Sequence, residues 1–379
     1  MNQKAQGPEA RRPTRRWPLR RVLAVAFLLQ IALAIGFASW LSLREVGRVT
    51  QNLTLQLQQQ VVSQVQDHLN RYLSTPPLIN QLNQDALALG WLQGQDLAGL
   101  EGHFWRQMQA FPQAGFIYYA NREGDLIGVE RLDNGELQID VIAPEHRGRF
   151  RLYATDAQGR RTQLKREVEA FVPQERPWYQ AAVRAGRPTW SEIFSYRGAP
   201  RLAIAAVSPI FDATGAVQGV LASDLLLSQL DDFLKTLNLS ATSTVFILER
   251  SGLLVASSTE ESPFQLIDGQ PQRQAANAVQ QPQIRATTAV LEAQFETLDA
   301  IEGWRRSTVR SSLGRQFLQV LPYRDLQGLD WLLVVTVPVR DFAPLGSAQT
   351  LTTLGLALGA IAGAFGLAIA TACWLAQPI

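Results

Sequence analysis

Residues 176–179 read Arg-Pro-Trp-Tyr, which sets one cation and two amphipathic rings within a helical turn of each other. The Arg176 guanidinium offers five N–H donors in a planar fork, a shape that matches a carboxylate with two parallel hydrogen bonds. Trp178 and Tyr179 each join a large apolar face to one polar group, which suits the wall of a small-molecule pocket. Trp190-Ser191-Glu192 follows, and Ser223-Asp224 closes an apolar run that reads as a strand. Asp224 could accept hydrogen bonds from a ligand amine or from a structural donor. Tyr118, Phe194 and Tyr196 are further candidates for the walls. The chemistry is recognition of a small polar molecule rather than bond breaking. Simpler roles compete at each position. Arg176 could pair with Glu175 or Glu192 at the surface, worth about 0–1 kcal/mol. Asp224 could cap the helix that follows it. Tyr118, Phe194 and Tyr196 could simply fill a core.

Other chemistries lack their residues. The three histidines, His68, His103 and His146, are isolated, with no HxH or HExxH spacing, so neither a metal site nor a cofactor is expected. No GxSxG, Walker loop or GxGxxG occurs. A membrane-anchored periplasmic hydrolase is a rival class, but it lacks a catalytic spacing. An adaptor with an empty sensor-like fold is the other rival. The only cysteine, Cys373, lies near the C-terminus, so the central region has neither a disulfide nor a thiolate site.

These residues need a scaffold, and its frame is set by two uncharged stretches. The chain is 46% hydrophobic and 18% charged, below the roughly 25% charged share of soluble domains. Residues 22–43 hold no charge, and at about 1.5 Å per residue they reach about 33 Å, enough for a bilayer core. Residues 351–376 are again uncharged. Two transmembrane helices are expected. Lys4, Arg11, Arg12, Arg15, Arg16, Arg20 and Arg21 precede the first, with Glu9 as the only acid, which keeps tail 1–21 cytoplasmic. Both termini then face the cytoplasm of an inner-membrane protein, and the region between the spans is periplasmic or extracellular. A cleaved signal peptide has an apolar region of about 7–15 residues, shorter than this one. The tail carries +6 of a net +2, so the remainder is mildly acidic, and nucleic acid is not an expected partner.

A long helix is expected after the first span. Val46, Val49, Leu53, Leu57, Val61, Val65, Leu69 and Leu73 recur every three or four residues, and Pro76-Pro77 is expected to end the run. Further helix is expected over 78–110. The period then changes. Phe116–Tyr119 and Leu126–Val129 flank a turn, and Asp133-Asn134-Gly135 is a second hairpin signal. Strands at 202–207 and 217–222 precede a helix at 227–237. The order recurs in 245–256 and 317–337 around a helix-rich stretch at about 271–300. Two copies of one antiparallel α+β module follow from this self-similarity.

In this arrangement the chain resembles the double Cache (dCache) sensor domain of bacterial transmembrane receptors, over roughly residues 44–345. The resemblance rests on Arg176-Pro177-Trp178-Tyr179, Trp190-Ser191-Glu192, Ser223-Asp224, the strand order and the two spans. It implies two PAS-like modules: a membrane-distal one (110–240) that holds the ligand, and a membrane-proximal one (241–345), on a stalk of helices over 44–109. In amino-acid-binding members the matching Arg and Trp hold a ligand carboxylate and the matching Asp its amine, which implies those roles for Arg176, Trp178 and Asp224. The sequence departs from that subset: Phe171 stands for a Tyr, and Phe194-Ser195-Tyr196 stands for Tyr-x-Asp. An ammonium held by Asp224 alone would be under-satisfied, at about 1–3 kcal/mol per unmet hydrogen bond. A carboxylate or other small polar ligand therefore competes with a free amino acid. Residues 377–379 resemble the opening of a HAMP signalling helix, expected to lead to a cytoplasmic kinase, cyclase or chemotaxis output. A homodimer is expected, because a lone pair of spans has little to move against.

Overall fold

The computed structural model describes residues 19–196, 201–237, 240, 242–268 and 270–342, with eight helical positions between 355 and 366. The chain divides into two compact units, residues 57–341 and residues 1–56 with 342–379. In the latter, tail residues 1–18, most of 351–376 and all of 377–379 lie outside the described residues, as do most side chains of 22–43. Among the described residues no helix is long and apolar enough to cross a membrane. The two spans remain sequence expectations.

Helix α1 (Leu19–Ala88) does not stop at the prolines, as its pattern led us to expect, but runs through Pro76 and Pro77. Proline has no N–H to give the preceding turn, and inside a helix this costs about 3 kcal/mol. Tertiary contacts on both sides hold the helix together. The Tyr72 hydroxyl donates to the Leu226 carbonyl at 2.9 Å. Asn80 donates to the Ala206 carbonyl at 2.7 Å and accepts from the Ser223 hydroxyl at 2.8 Å. Ile79, between them, is fully buried. Helix α2 (Leu97–Ala110) begins at Asp96, whose side chain accepts from the Gly99 N–H.

The first module, the one expected to be membrane-distal and called distal below, is built on a nine-stranded sheet. Its first part is a meander of β1 (Phe116–Asn121), β2 (Leu126–Arg131), β3 (Leu137–Ile142), β4 (Phe150–Thr155) and β5 (Arg161–Val168). Helix α3 (Pro177–Ala185) and the short β6 (Thr189–Trp190) and β7 (Phe194–Ser195) precede β8 (Leu202–Phe211) and β9 (Val217–Leu226). The order is β5-β4-β3-β2-β1-β9-β8-β6, with β7 on β8. Both faces are covered, so the central strands are apolar throughout instead of alternating. Ile117, Tyr119, Ile127, Val129 and Leu221 pack with Ile79 of α1 and with Leu100, Phe104 and Met108 of α2. The opposite face, with Phe116, Tyr118, Ala203, Ala205 and Ala222, packs with Trp178, Tyr179 and Ala182 of α3.

Helix α4 (Leu227–Lys235) leads to the proximal module. There β10 (Thr244–Glu249), β11 (Leu254–Ser257), the hairpin β12 (Phe264–Ile267) and β13 (Gln270–Arg273), α5 (Pro282–Gln294), β14 (Arg305–Ser311), β15 (Gly314–Arg324) and β16 (Asp330–Pro338) follow in order. The five-stranded sheet runs β11-β10-β16-β15-β14, the same succession as β2-β1-β9-β8. Helix fills only part of the stretch expected to hold it, because residues 270–273 pair as a strand with 264–267. The two modules are joined by the Ser257 N–H on the Asp231 carboxylate at 2.7 Å and the Thr189 hydroxyl on the Gln327 carbonyl at 3.2 Å. Trp190 also donates its indole N–H to Asp325.

Candidate functional site

Helix α3 presents its first turn to the sheet because Pro177 pre-sets the entry dihedral, and Gly186, at φ +58°, closes the helix in a left-handed conformation. Between α3 and the face of β1–β4 and β9 lies a cavity of about 360 Å³. Arg176, Trp178, Asp224, Tyr118, Phe194 and Tyr196 all line it. Tyr179 does not. One helical residue on from Trp178, its side chain leaves the axis about 100° away, and it is buried in the core with its ring 5.5 Å from the Trp178 ring.

Strand register orders the polar groups. Directly opposed residues on antiparallel strands share a face, so Gln138, Glu130, Phe116, Asp224 and Ala205 form one row across β3, β2, β1, β9 and β8. Asp140, Gly128, Tyr118, Ala222 and Val207 form the next. Gly128 is required there: a Cβ would lie 2.4 Å from the Tyr118 Cβ and 2.5 Å from the Phe116 ring. Those two rings stack at 4.2 Å, and Trp178 meets Tyr118 edge-on at 4.8 Å.

Asp224 is buried at the α3 end. It does not cap α4, whose first turn has no side-chain cap. Instead the hydroxyls of Tyr118 and Tyr196 donate to its two oxygens, each at 2.9 Å. Burial pushes its carboxyl up to about 8, against the pull of the two hydroxyls and of Arg176. Arg176 donates to the Ser195 carbonyl at 3.2 Å, and its guanidinium lies 5.6 Å over the Phe171 ring. Phe171, where the amino-acid-binding pattern has Tyr, therefore meets the cation with its π-face.

A second polar group faces the cavity from β2 and β3, and nothing in the sequence reading singled it out. Glu130 is buried and accepts from Gln138 at 2.9 Å and from Arg201. Arg201 also pairs with Asp133 at 3.2 Å and lies 5.1 Å over the Tyr196 ring. Asp140, beside them, is 1% exposed. Burial first, then the Glu130 charge, holds its carboxyl well above the usual carboxylate range. Burial likewise raises Glu130, against the pull of Arg201. Lys165 and Arg166 line the exposed rim. Polar residues alternating with apolar ones in Leu137–Ile142 ordinarily mark a solvent-facing side. Only the sheet shows that this side faces a cavity.

Three buried carboxylates, two half-buried guanidiniums and a wall of rings thus line one cavity of a two-module α+β fold. The chain matches the Cache domain model (dCache_1) over residues 46–343 and belongs to that family. Among solved structures it is similar to a protein titled "Methyl-accepting Chemotaxis protein X", at 17% identity, over 77% of this chain and 99% of that one, with a TM-score of 0.50. It is also similar to the ligand-binding domain of the Pseudomonas fluorescens chemoreceptor CtaA in complex with L-isoleucine, at 15% identity, over 79% and 98%, with a TM-score of 0.48. A third is the ligand-binding domain of the Pseudomonas aeruginosa amino-acid chemoreceptor PctC in complex with GABA, at 17% identity, over 74% and 97%, with a TM-score of 0.46. No curated protein sequence matches the chain.

Proposed function

We propose that this chain is the sensing region of a transmembrane signal-transduction receptor. Its distal module binds a small polar molecule, carboxylate or amino-acid-like, outside the membrane. The observation that carries this reading is the distal cavity, in which Arg176, Trp178 and Asp224 converge with Tyr118, Tyr196 and Phe194. Arg176 supplies the donors for a ligand anion, Trp178 the wall, and Asp224 an acceptor for a ligand N–H or O–H. The uncharged stretches 22–43 and 351–376 and the basic tail support two crossings with both termini cytoplasmic. Binding favours one of two arrangements of modules and helices, and the second span carries the change inward in a homodimer. A ligand moves that equilibrium only by its differential affinity for the two states, about 1–3 kcal/mol in most couplings.

A thermal-shift screen of small carboxylates, amines and amino acids tests the site. A ligand at about 100 times its Kd adds about 2.7 kcal/mol of stability. Arg176→Ala should abolish that gain, and a gain that survives the substitution places the ligand elsewhere.

A further inference from the structure

Among the cavity-lining groups that the roles above leave unused, Asp140 is the most deeply buried. It is 1% exposed, it lines the cavity, and its Oδ1 finds no hydrogen-bond partner. Glu130 and Gln138 lie within hydrogen-bonding reach of its carboxyl, but neither serves Oδ1. Arg201 is engaged by Glu130 and Asp133, and the Gln138 amide donates to Glu130. Among the described residues no cation is in ion-pair contact with Asp140. A buried carboxylate oxygen with no donor is costly, and native structures seldom keep one without a reason. Asp140 and Glu130 also lie side by side on one sheet face, and the Glu130 charge disfavours ionisation of Asp140. A cation placed beside Asp140 relieves that penalty and supplies the missing donor.

Strand geometry gives the spacing. Glu130 and Asp224 occupy the same row two strands apart, about 10 Å between backbones. Asp140 lies one strand beyond Glu130 and one row over. A ligand held near Arg176 and Asp224 thus needs an extended chain to reach the second acidic group.

We propose that the ligand carries a cationic donor, an ammonium or guanidinium, at its end remote from Arg176, and that Asp140, supported by Glu130, selects for it. This deepens the reading of the distal cavity as a ligand site and rests on it. The ligand class becomes an extended basic amino acid or an amine of similar length, not a short or purely apolar one.

L-arginine and L-citrulline test the proposal, since they have nearly the same shape and differ in the charge of the terminal group. Titration calorimetry on the full chain in detergent should show arginine binding at least about tenfold more tightly, the ratio expected for about 1.4 kcal/mol. In Asp140→Asn the ratio should fall to about threefold or less, through weaker arginine binding. Equal binding of the two by the unsubstituted chain, a ratio unchanged in Asp140→Asn, or no binding of either overturns the proposal. Should Asp140→Asn fail to fold, the unsubstituted ratio decides alone. The two readings fail separately. If Arg176→Ala loses the thermal shifts of the wider screen while arginine and citrulline bind alike, the cavity remains a ligand site and only its cation preference falls. If Arg176→Ala changes no shift in that screen, the site reading itself falls.

Discussion

The two modules share a strand order but treat the same positions in opposite ways. In the distal sheet β1 opens with Phe116 opposite Asp224, followed on the same face by Tyr118 opposite Ala222. In the proximal sheet the corresponding pairs are Thr244 opposite Thr336 and Phe246 opposite Val334. Asp224 is thus answered by a threonine, whose hydroxyl is satisfied by Gln316 at 3.0 Å. Tyr118 and Ala222 are answered by Phe and Val. Around them Leu248, Leu254, Ile284, Leu291, Leu318 and Leu332 close an apolar core. One copy of the fold is filled and the other is hollow and charged. Among the described residues the proximal face is closed by apolar side chains, whereas the distal one carries the cost of three buried carboxylates.

Substitutions that push either module towards the other test this contrast. The largest effect should come from hollowing the filled one. Phe246→Ala removes a fully buried ring and should cost about 3–5 kcal/mol in urea denaturation. A loss below about 1 kcal/mol would mean that the proximal core is not the better packed of the two. Next comes Arg176→Ala, whose effect should be confined to the liganded protein: loss of about 2.7 kcal/mol at 100 times Kd, with little change in the empty one.

Asp224→Asn should act on the empty protein and in a pH-dependent way. Burial pushes the folded Asp224 carboxyl up to about 8, against an ordinary value near 4. Between those values the folded state binds the extra proton, so stability is greatest at low pH and is lost as pH rises from about 4 to about 8. Asp231, pushed up to about 7 by burial, acts with the same sign. Comparing denaturation at pH 5 and pH 8, the variant should lose at least about 1 kcal/mol less than the original chain. An unchanged pH dependence would show that Asp224 is already ionised at pH 5. The smallest stability effect should be that of Ala222→Val, which gives the distal row the side chain found at Val334. It should change stability by less than about 1 kcal/mol while reducing the ligand shift, because the added methyl groups enter a row that borders the cavity.

The sequence was informative wherever local chemistry decides structure. Pro177 has the fixed φ that suits the first position of a helix, and it stands there. Asp133-Asn134-Gly135 turns the chain and so sets Glu130 opposite Gln138. Arg176, Trp178 and Asp224 were legible as a constellation before the fold was known. The largest failure was non-local. Pro76 and Pro77 are helix breakers by local rules, yet Tyr72 and Asn80 hold the helix straight through them by bonds to residues more than a hundred positions away. Tyr179, chosen as the neighbour of Trp178, is turned away by the helical period.

What the sequence determined by itself was the inventory: two α+β copies, two uncharged stretches, and an arginine, a tryptophan and an aspartate at suggestive places. Tertiary structure decided which polar residues face inward. Alternation along a strand tells apart the two faces of a sheet but says nothing of what covers either one. Glu130 and Asp140 read as ordinary surface acids until α3 is laid over their face of the sheet. With Arg201, Phe150, Phe171 and Tyr196 brought over the same face, an exposed-looking polar stripe becomes the far wall of a cavity and Asp140 a buried carboxylate.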